Sequence, residues 1–237
     1  MVLPPRMRCP SSTTCRAVRT RCYVSGRSAA EIKKALLATA QEMLRSGLVE
    51  GTSGNLSARL PDGNIVLTPS SLDYEQMQLE DLVVVDPTGE LLEGERGPTT
   101  EKALHLACLR RYPELGGVIH SHAMFATMFA ITRQPIPCVI EEFDVFVGGD
   151  VPVADYQVTG SDELGEEVAA WLGDRGAVLM ANHGLLTVGS TPEKAMQVAH
   201  LVERTAKIVW GARLLGDLVP LPDETREMFA PIYKLMR

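Results

Sequence analysis

The chain has 237 residues, 45% of them hydrophobic and 22% charged, with a mean hydropathy of +0.03. That is enough chain for one α/β domain with a sizeable core, and too much order-promoting residue for a disordered protein; no apolar run approaches the roughly 18 residues of a membrane helix. The net charge of −7 is unevenly spread, because residues 1–30 hold six arginines and no acid and leave 17 basic against 30 acidic groups in residues 31–237. Such an acidic body is not expected to seek nucleic acid.

The leader, residues 1–27, lacks the continuous apolar stretch of a signal peptide, so it reads as a disordered extension ahead of a single cytoplasmic domain, 28–237. Cys9, Cys15 and Cys22 lie in or beside its arginines, and Cys108 and Cys138 sit in apolar surroundings. Their spacing matches no zinc knuckle or disulfide framework, and reduced thiols are expected.

Folding is expected to begin at Ser28, where Ser28-Ala29-Ala30-Glu31 forms a capping box before apolar Ile32, Leu36, Leu37, Ala40 and Leu44. Asn55–Leu60 and Ile65–Thr68 flank Pro61-Asp62-Gly63-Asn64 as a hairpin, and Leu82–Val85 reads as a further strand. A helix follows from about Thr100 to Tyr112, then a β-like run at Gly117–His122 and an apolar helix at Ala123–Ile131. Val145–Val147 closed by Gly148-Gly149 reads as a strand, and Ser161 caps a helix to Leu172. Ala177–Ala181 and Leu185–Val188 are apolar segments around Asn182-His183-Gly184, and Thr191-Pro192 opens a helix reaching Leu215. Hairpins mixed with helices predict a three-layer α/β/α domain with a mostly antiparallel central sheet.

His120 and His122, one residue apart on a strand, present both imidazoles on one face. A metal site needs at least a third ligand, and His183, in a polar break between two apolar strands, is the most suggestive histidine left. His105 lies one helical turn after Glu101, where it can buttress the site, and His200 falls inside a long helix as a structural residue. Gly51-Thr52-Ser53-Gly54-Asn55-Leu56-Ser57 has the composition of an anion-binding turn without the ending of a nucleotide-binding loop. Thr68-Pro69-Ser70-Ser71 and Pro98-Thr99-Thr100-Glu101 add two further hydroxyl-rich turns.

Taken in order, GTSGNLS, TPSS, PTTE, HSH and NHG resemble the class II aldolase and adducin-head family, and within it the fuculose-phosphate aldolase branch. The resemblance spans about Glu31 to Pro222, with 19 residues from Glu101 to His120 and 63 from His120 to His183. It implies a Zn2+ or other divalent ion, one per subunit, held by His120, His122, His183 and Glu101. Glu101 also serves as acid/base, and a tail tyrosine, Tyr233, handles the proton of the aldehyde oxygen. Thr52, Gly54, Asn55, Ser70, Ser71, Thr99 and Thr100 fall at the family's phosphate site, with Ser70-Ser71 and Thr99-Thr100 in place of Thr-Gly and Ser-Ser pairs. The acidic pair Glu141-Glu142 falls near a family tyrosine, where it either changes the polar groups that face the aldehyde fragment or points to solvent, the commoner case for adjacent acids.

The activity so implied is reversible cleavage of a phosphorylated ketose such as L-fuculose 1-phosphate to dihydroxyacetone phosphate and an aldehyde, in a homotetramer. Pentulose-phosphate 4-epimerases and methylthioribulose-phosphate dehydratases share the scaffold. Adducin-like members lack the ligands, and the complete set here separates an enzyme from a non-catalytic interaction module.

Overall fold

In the computed structural model the described residues are 26–237, so the leader expected at 1–27 falls, up to residue 25, outside them. Arg27 already belongs to the folded body, its guanidinium 2.6 Å from Glu193. The Ser28 capping box is present: Ser28 Oγ accepts from the Glu31 amide at 3.3 Å, and the Glu31 carboxylate accepts from the Ser28 amide at 2.7 Å. It starts α1 (Ala29–Arg45), which buries Ile32, Leu36, Ala40 and Met43, the i, i+4 stripe that puts one helix face on a sheet.

Eight strands form one sheet: β1 (Asn55–Arg59), β2 (Ile65–Leu67), β3 (Val83–Val85), β4 (Leu91–Glu93), β5 (Gly117–Ser121), β6 (Val153–Ala154), β7 (Ala177–Met180) and β8 (Gly184–Gly189). Their order is β4-β3-β2-β1-β5-β8-β7-β6, antiparallel throughout except for the β6–β7 pair. The remaining helices are α2 (Lys102–Arg111), α3 (Met124–Thr132), α4 (Glu141–Val147), α5 (Asp162–Leu172), α6 (Pro192–Leu215) and α7 (Asp223–Met236).

Strand alternation divides the core in two. Leu56 and Ala58 of β1, Ile119 of β5, Leu179 of β7 and Leu185 of β8 pack under α1, α3, α4 and α6. Val118, Val178, Leu186 and Val188 face the other way, under α2 and α5. The three-layer arrangement expected from the sequence is therefore the observed one, with layers of unequal weight.

One expected strand is a helix. Val145–Val147 belongs to α4, whose Phe143 and Val147 are four residues apart and both buried, and Gly148 ends it in the left-handed region at φ 84°. Three apolar residues in a row carry no period, so helix and strand were indistinguishable there. The short strands β4 and β6 and the C-terminal α7 are further elements that the sequence pattern did not announce. Cys108 and Cys138 are buried free thiols in separate halves of the core, the pKa of each pushed up to about 12 by burial. Among the described residues no helix is long and apolar enough to cross a membrane.

Candidate active site

The strand registers bring four chain segments to one end of the sheet. Asn55 opens β1 opposite His120, Leu67 closes β2 opposite Ser57, and Ser121 closes β5 opposite Leu185, next to the start of β8. His122 follows directly after β5. His183 sits in the turn between β7 and β8, which reverses within three residues because Asn182 takes the left-handed conformation at φ 56°. Gly184 is required by close approach: a Cβ there would lie 2.5 Å from the Ser121 carbonyl and within 3.3 Å of both the His122 and His120 rings. The break expected to carry His183 thus lies at the strand ends, inside the sheet, since β8 is flanked by β5 and β7.

The ligand nitrogens of His120, His122 and His183 all lie within 4.8 Å of one another. Glu101, 5% exposed at the start of α2, reaches the same point, with Oε2 3.3 Å from His120 Nε2 and Oε1 3.4 Å from His183 Nε2. It makes no side-chain cap to its own helix, so its position is not explained by capping. His120 Nδ1 donates to the Leu185 carbonyl at 3.1 Å, and that fixes the tautomer and leaves Nε2 as a lone pair facing inward. Burial, and then the neighbouring His183, hold both His120 and His122 below the usual imidazole range, so both rings are neutral and able to ligate. Glu101 Oε1 is buried with no hydrogen-bond partner. His120 Nε2 and His122 Nε2 lie 3.1 Å apart, and nitrogens and a carboxylate gathered this closely, with Glu101 Oε1 unpartnered, are what a divalent cation would satisfy, so the residues fit a metal, with the nitrogen-rich set suited to zinc.

The hydroxyl-rich turns gather at the same end. Ser70 N donates to Gly97 O at 3.0 Å and Thr99 N to Thr68 O at 3.2 Å, which zips the second turn to the third. Thr52, Ser71 and Thr100 are exposed, Ser70 is half-buried, and the Ser70 and Ser71 hydroxyls lie 3.3 Å apart. Ser71 takes a left-handed φ of 56°. Two residues of the expected phosphate set have other work: the Thr99 hydroxyl accepts from the Glu101 amide at 3.3 Å, and the Asn55 carboxamide donates to Glu101 Oε2 at 2.8 Å.

Tyr233 is not brought to this end within the chain. It is buried in α7, its hydroxyl donates to the Asp174 carbonyl at 2.7 Å, and it lines a small cavity with Val188 and Gly189 at the far end of β8. Glu141 and Glu142 are exposed, as expected, and Glu142 pairs with Arg204. His200 lies 3.2 Å from Glu42, away from the three histidines.

Two supports were not read from the sequence. The Glu203 carboxylate of α6 accepts from the Phe125 and Ala126 amides, each at 2.9 Å, and so caps α3, which otherwise begins without a side-chain cap two residues after His122. A separation of more than seventy residues leaves no local pattern to find. The other is Ser57, whose hydroxyl lies 2.8 Å from Nδ1 of His105, the expected buttress.

Comparison with known proteins identifies the family. The family "Class II Aldolase and Adducin N-terminal domain" matches residues 34–210. The chain belongs to that family. Among class II aldolases, an L-fuculose phosphate aldolase of Escherichia coli O6:H1 is 35% identical over 195 residues, 82% of this chain and 90% of the relative. A 5-methylthioribulose-1-phosphate/5-deoxyribulose-1-phosphate aldolase of Escherichia coli O45:K1 is 36% identical over 196 residues, with the same two coverages of 82% and 90%. A solved L-fuculose 1-phosphate aldolase superposes with a TM-score of 0.83 at 34% identity, covering 89% of this chain and 99% of its own.

Proposed function

We propose that the chain is a divalent-metal-dependent aldehyde-lyase that reversibly cleaves a phosphorylated ketose, such as L-fuculose 1-phosphate, to dihydroxyacetone phosphate and an aldehyde. The observation that carries this reading is the buried carboxylate of Glu101, set within 3.4 Å of His120 and His183 with one oxygen unpartnered. His120, His122 and His183 would hold the cation, with Glu101 beside them. When bound, such a cation supplies Lewis-acid polarisation of the ketose carbonyl and positive charge against the enediolate left by C–C cleavage.

The chain's own residues do the rest. Exposed Thr52, Ser71 and Thr100, with half-buried Ser70, line the turns where a phosphate docks, and hydroxyl donors suit a body of acidic net charge. Docking the phosphate fixes the distance from that end of the substrate to Glu101, which converts an encounter into a positioned reaction. As the C3–C4 bond breaks, the C4 hydroxyl becomes the aldehyde carbonyl and its proton is lost to solvent. Glu101, having taken up an equivalent proton at Oε1, delivers it to C3, the carbon that becomes the hydroxymethyl of dihydroxyacetone phosphate, and removes it in the synthetic direction. No lysine is needed to form a covalent imine. The reading includes a homo-oligomer, tested by light scattering.

The test is a panel of phosphorylated ketoses assayed with metal-analysed protein, scored for aldehyde release, epimer or dehydration product. About one divalent ion per chain and aldehyde release are expected. Full activity after chelation, or a product without aldehyde, overturns the reading.

A further inference from the structure

Behind Glu101 runs a line of buried hydrogen bonds whose polarity the geometry decides. Asn55 Nδ2 lies 2.8 Å from Glu101 Oε2, and only the amide end of that side chain can donate to a carboxylate. Asn55 Oδ1 is therefore the atom 2.6 Å from His105 Nε2, and a carbonyl oxygen only accepts, so Nε2 carries the ring proton. A neutral imidazole then presents Nδ1 as an acceptor, and the Ser57 hydroxyl, 2.8 Å away, donates to it. Ser57 and His105 are 0% exposed and Asn55 5%, so water offers none of them an alternative partner. Burial holds the His105 pKa at about 3, in keeping with a ring that stays neutral.

We propose that His105 is a positioning residue for the proton-exchanging carboxylate, acting through Asn55 and backed by Ser57. The inference rests on the role given above to Glu101. A carboxamide has two near-isosteric orientations, and one of them would turn its oxygen towards the carboxylate. The proton on His105 Nε2 selects the other. With the amide donating to Oε2, that oxygen is made less basic, and Oε1, which has no partner, is left as the one that exchanges the proton. The line thus makes a symmetric carboxylate asymmetric: Oε2, 3.3 Å from His120 Nε2, carries the Asn55 hydrogen bond, and Oε1, 3.4 Å from His183 Nε2, carries none.

The experiment uses full-length, metal-loaded protein with His105→Phe, which keeps bulk without polar atoms, and His105→Gln, which keeps a donor and an acceptor. Asn55→Ala and the double variant with His105→Phe complete a cycle, and Ser57→Ala is a milder variant should His105→Phe not fold. Turnover is measured together with deuterium uptake at the reacting carbon of dihydroxyacetone phosphate. His105→Phe should lose about 10- to 100-fold in both, as removal of a hydrogen-bonded outer partner does, with KM nearly unchanged. His105→Gln should recover most of the loss, Ser57→Ala should show a smaller loss of the same kind, and His105→Phe should add little in the Asn55→Ala background. Full additivity in that background, or a lowered melting temperature with unchanged turnover and uptake, overturns the proposal. A separate arm needs no activity: the Asn55 side-chain amide protons should exchange slowly with solvent in the parent protein and faster in His105→Phe and Ser57→Ala. A parent that cleaves no ketose phosphate but keeps that protection would sink the reading of function alone, and an unprotected Asn55 amide would sink the positioning role alone.

Discussion

The two ends of the same strands are built differently. At the end marked by Asn55, Ser121 and Gly184, lone pairs converge, and Glu101 Oε1 and His183 Nδ1 are buried without a hydrogen-bond partner. At the other end, the Tyr233 hydroxyl is spent on the Asp174 carbonyl, and Arg237 donates to the Gly173 carbonyl at 3.0 Å while lying 3.8 Å from Glu114. The six residues of β8 span the distance between the two, five steps or about 17 Å at a strand's rise per residue. Burying unsatisfied lone pairs costs stability, so a chain retains them where something arrives to satisfy them. The far end also buries unpartnered groups, the Nε of Arg175 and of Arg237, but these are guanidinium donors rather than a carboxylate and imidazoles gathered at one point.

The contrast breaks most decisively at Glu101. Glu101→Gln keeps size and polarity but removes the basic oxygen, and it should lower turnover by about 10²–10⁴-fold while metal stays bound through the three histidines. His120→Ala should lose metal and turnover together. A metal-loaded Glu101→Gln protein with parental turnover would take Glu101 out of the mechanism.

Gly184→Ala should come next. The added methyl meets the Ser121 carbonyl at 2.5 Å and crowds the edges of both neighbouring imidazoles. Displacing two ligands by a few tenths of an ångström should weaken metal binding by about 10- to 100-fold, read by chelator competition. Unchanged affinity would show that the histidine ends of β5 and β8 tolerate the shift.

How far these features could be read beforehand follows from the range of the interactions. The capping box at Ser28, the hairpin around Pro61-Asp62-Gly63-Asn64 and the strand carrying His120 are local, and the structure has each of them, although that strand ends at Ser121, one residue short of His122. Convergence of His183 with His120 and His122 is non-local, and it was legible only because the spacing of several weak motifs resembled a known family. The Glu203 cap on α3 and the turn of the Asn55 amide towards Glu101 depend on tertiary contacts with no local periodicity, so the first passed unseen and Asn55 was assigned to the phosphate alone. The acidic α4 fell to the opposite error, where a three-residue apolar run was given a period it does not contain.

The metal-free site should also report itself through pH. His105 has a folded pKa of about 3 against an ordinary 6.5, and His120 and His122 are lowered as well, all chiefly by burial. The unfolded chain therefore binds protons below about pH 6.5 that the folded chain refuses, and stability must fall as pH falls through that window. Each such histidine contributes a slope of up to about 1.4 kcal/mol per pH unit. Between pH 6.5 and 5 this precedes most carboxylate titration, so His105→Gln should flatten the melting-temperature profile there. An identical profile in the variant would show that His105 is not the neutral, buried group described.

Tyr233 tests the comparison from its quiet end. The family resemblance gives a tail tyrosine a proton-transfer role, yet in the single chain this side chain packs over Gly148, where a Cβ would come within 2.3 Å of its ring, and its hydroxyl is already donated. Burial raises its pKa further, which keeps the hydroxyl protonated and makes it a poorer proton donor. Tyr233→Phe keeps the ring and deletes one buried hydrogen bond, a loss of about 1 kcal/mol, visible as a lower melting temperature. If packing is all that Tyr233 does, turnover by the folded fraction stays at the parental value. If turnover collapses while the melting temperature holds, the hydroxyl reaches a reaction that the single chain does not show, and the division of the sheet into a reactive end and a packed end fails at this residue. The two measurements move in opposite directions under the two readings, so one variant decides between them.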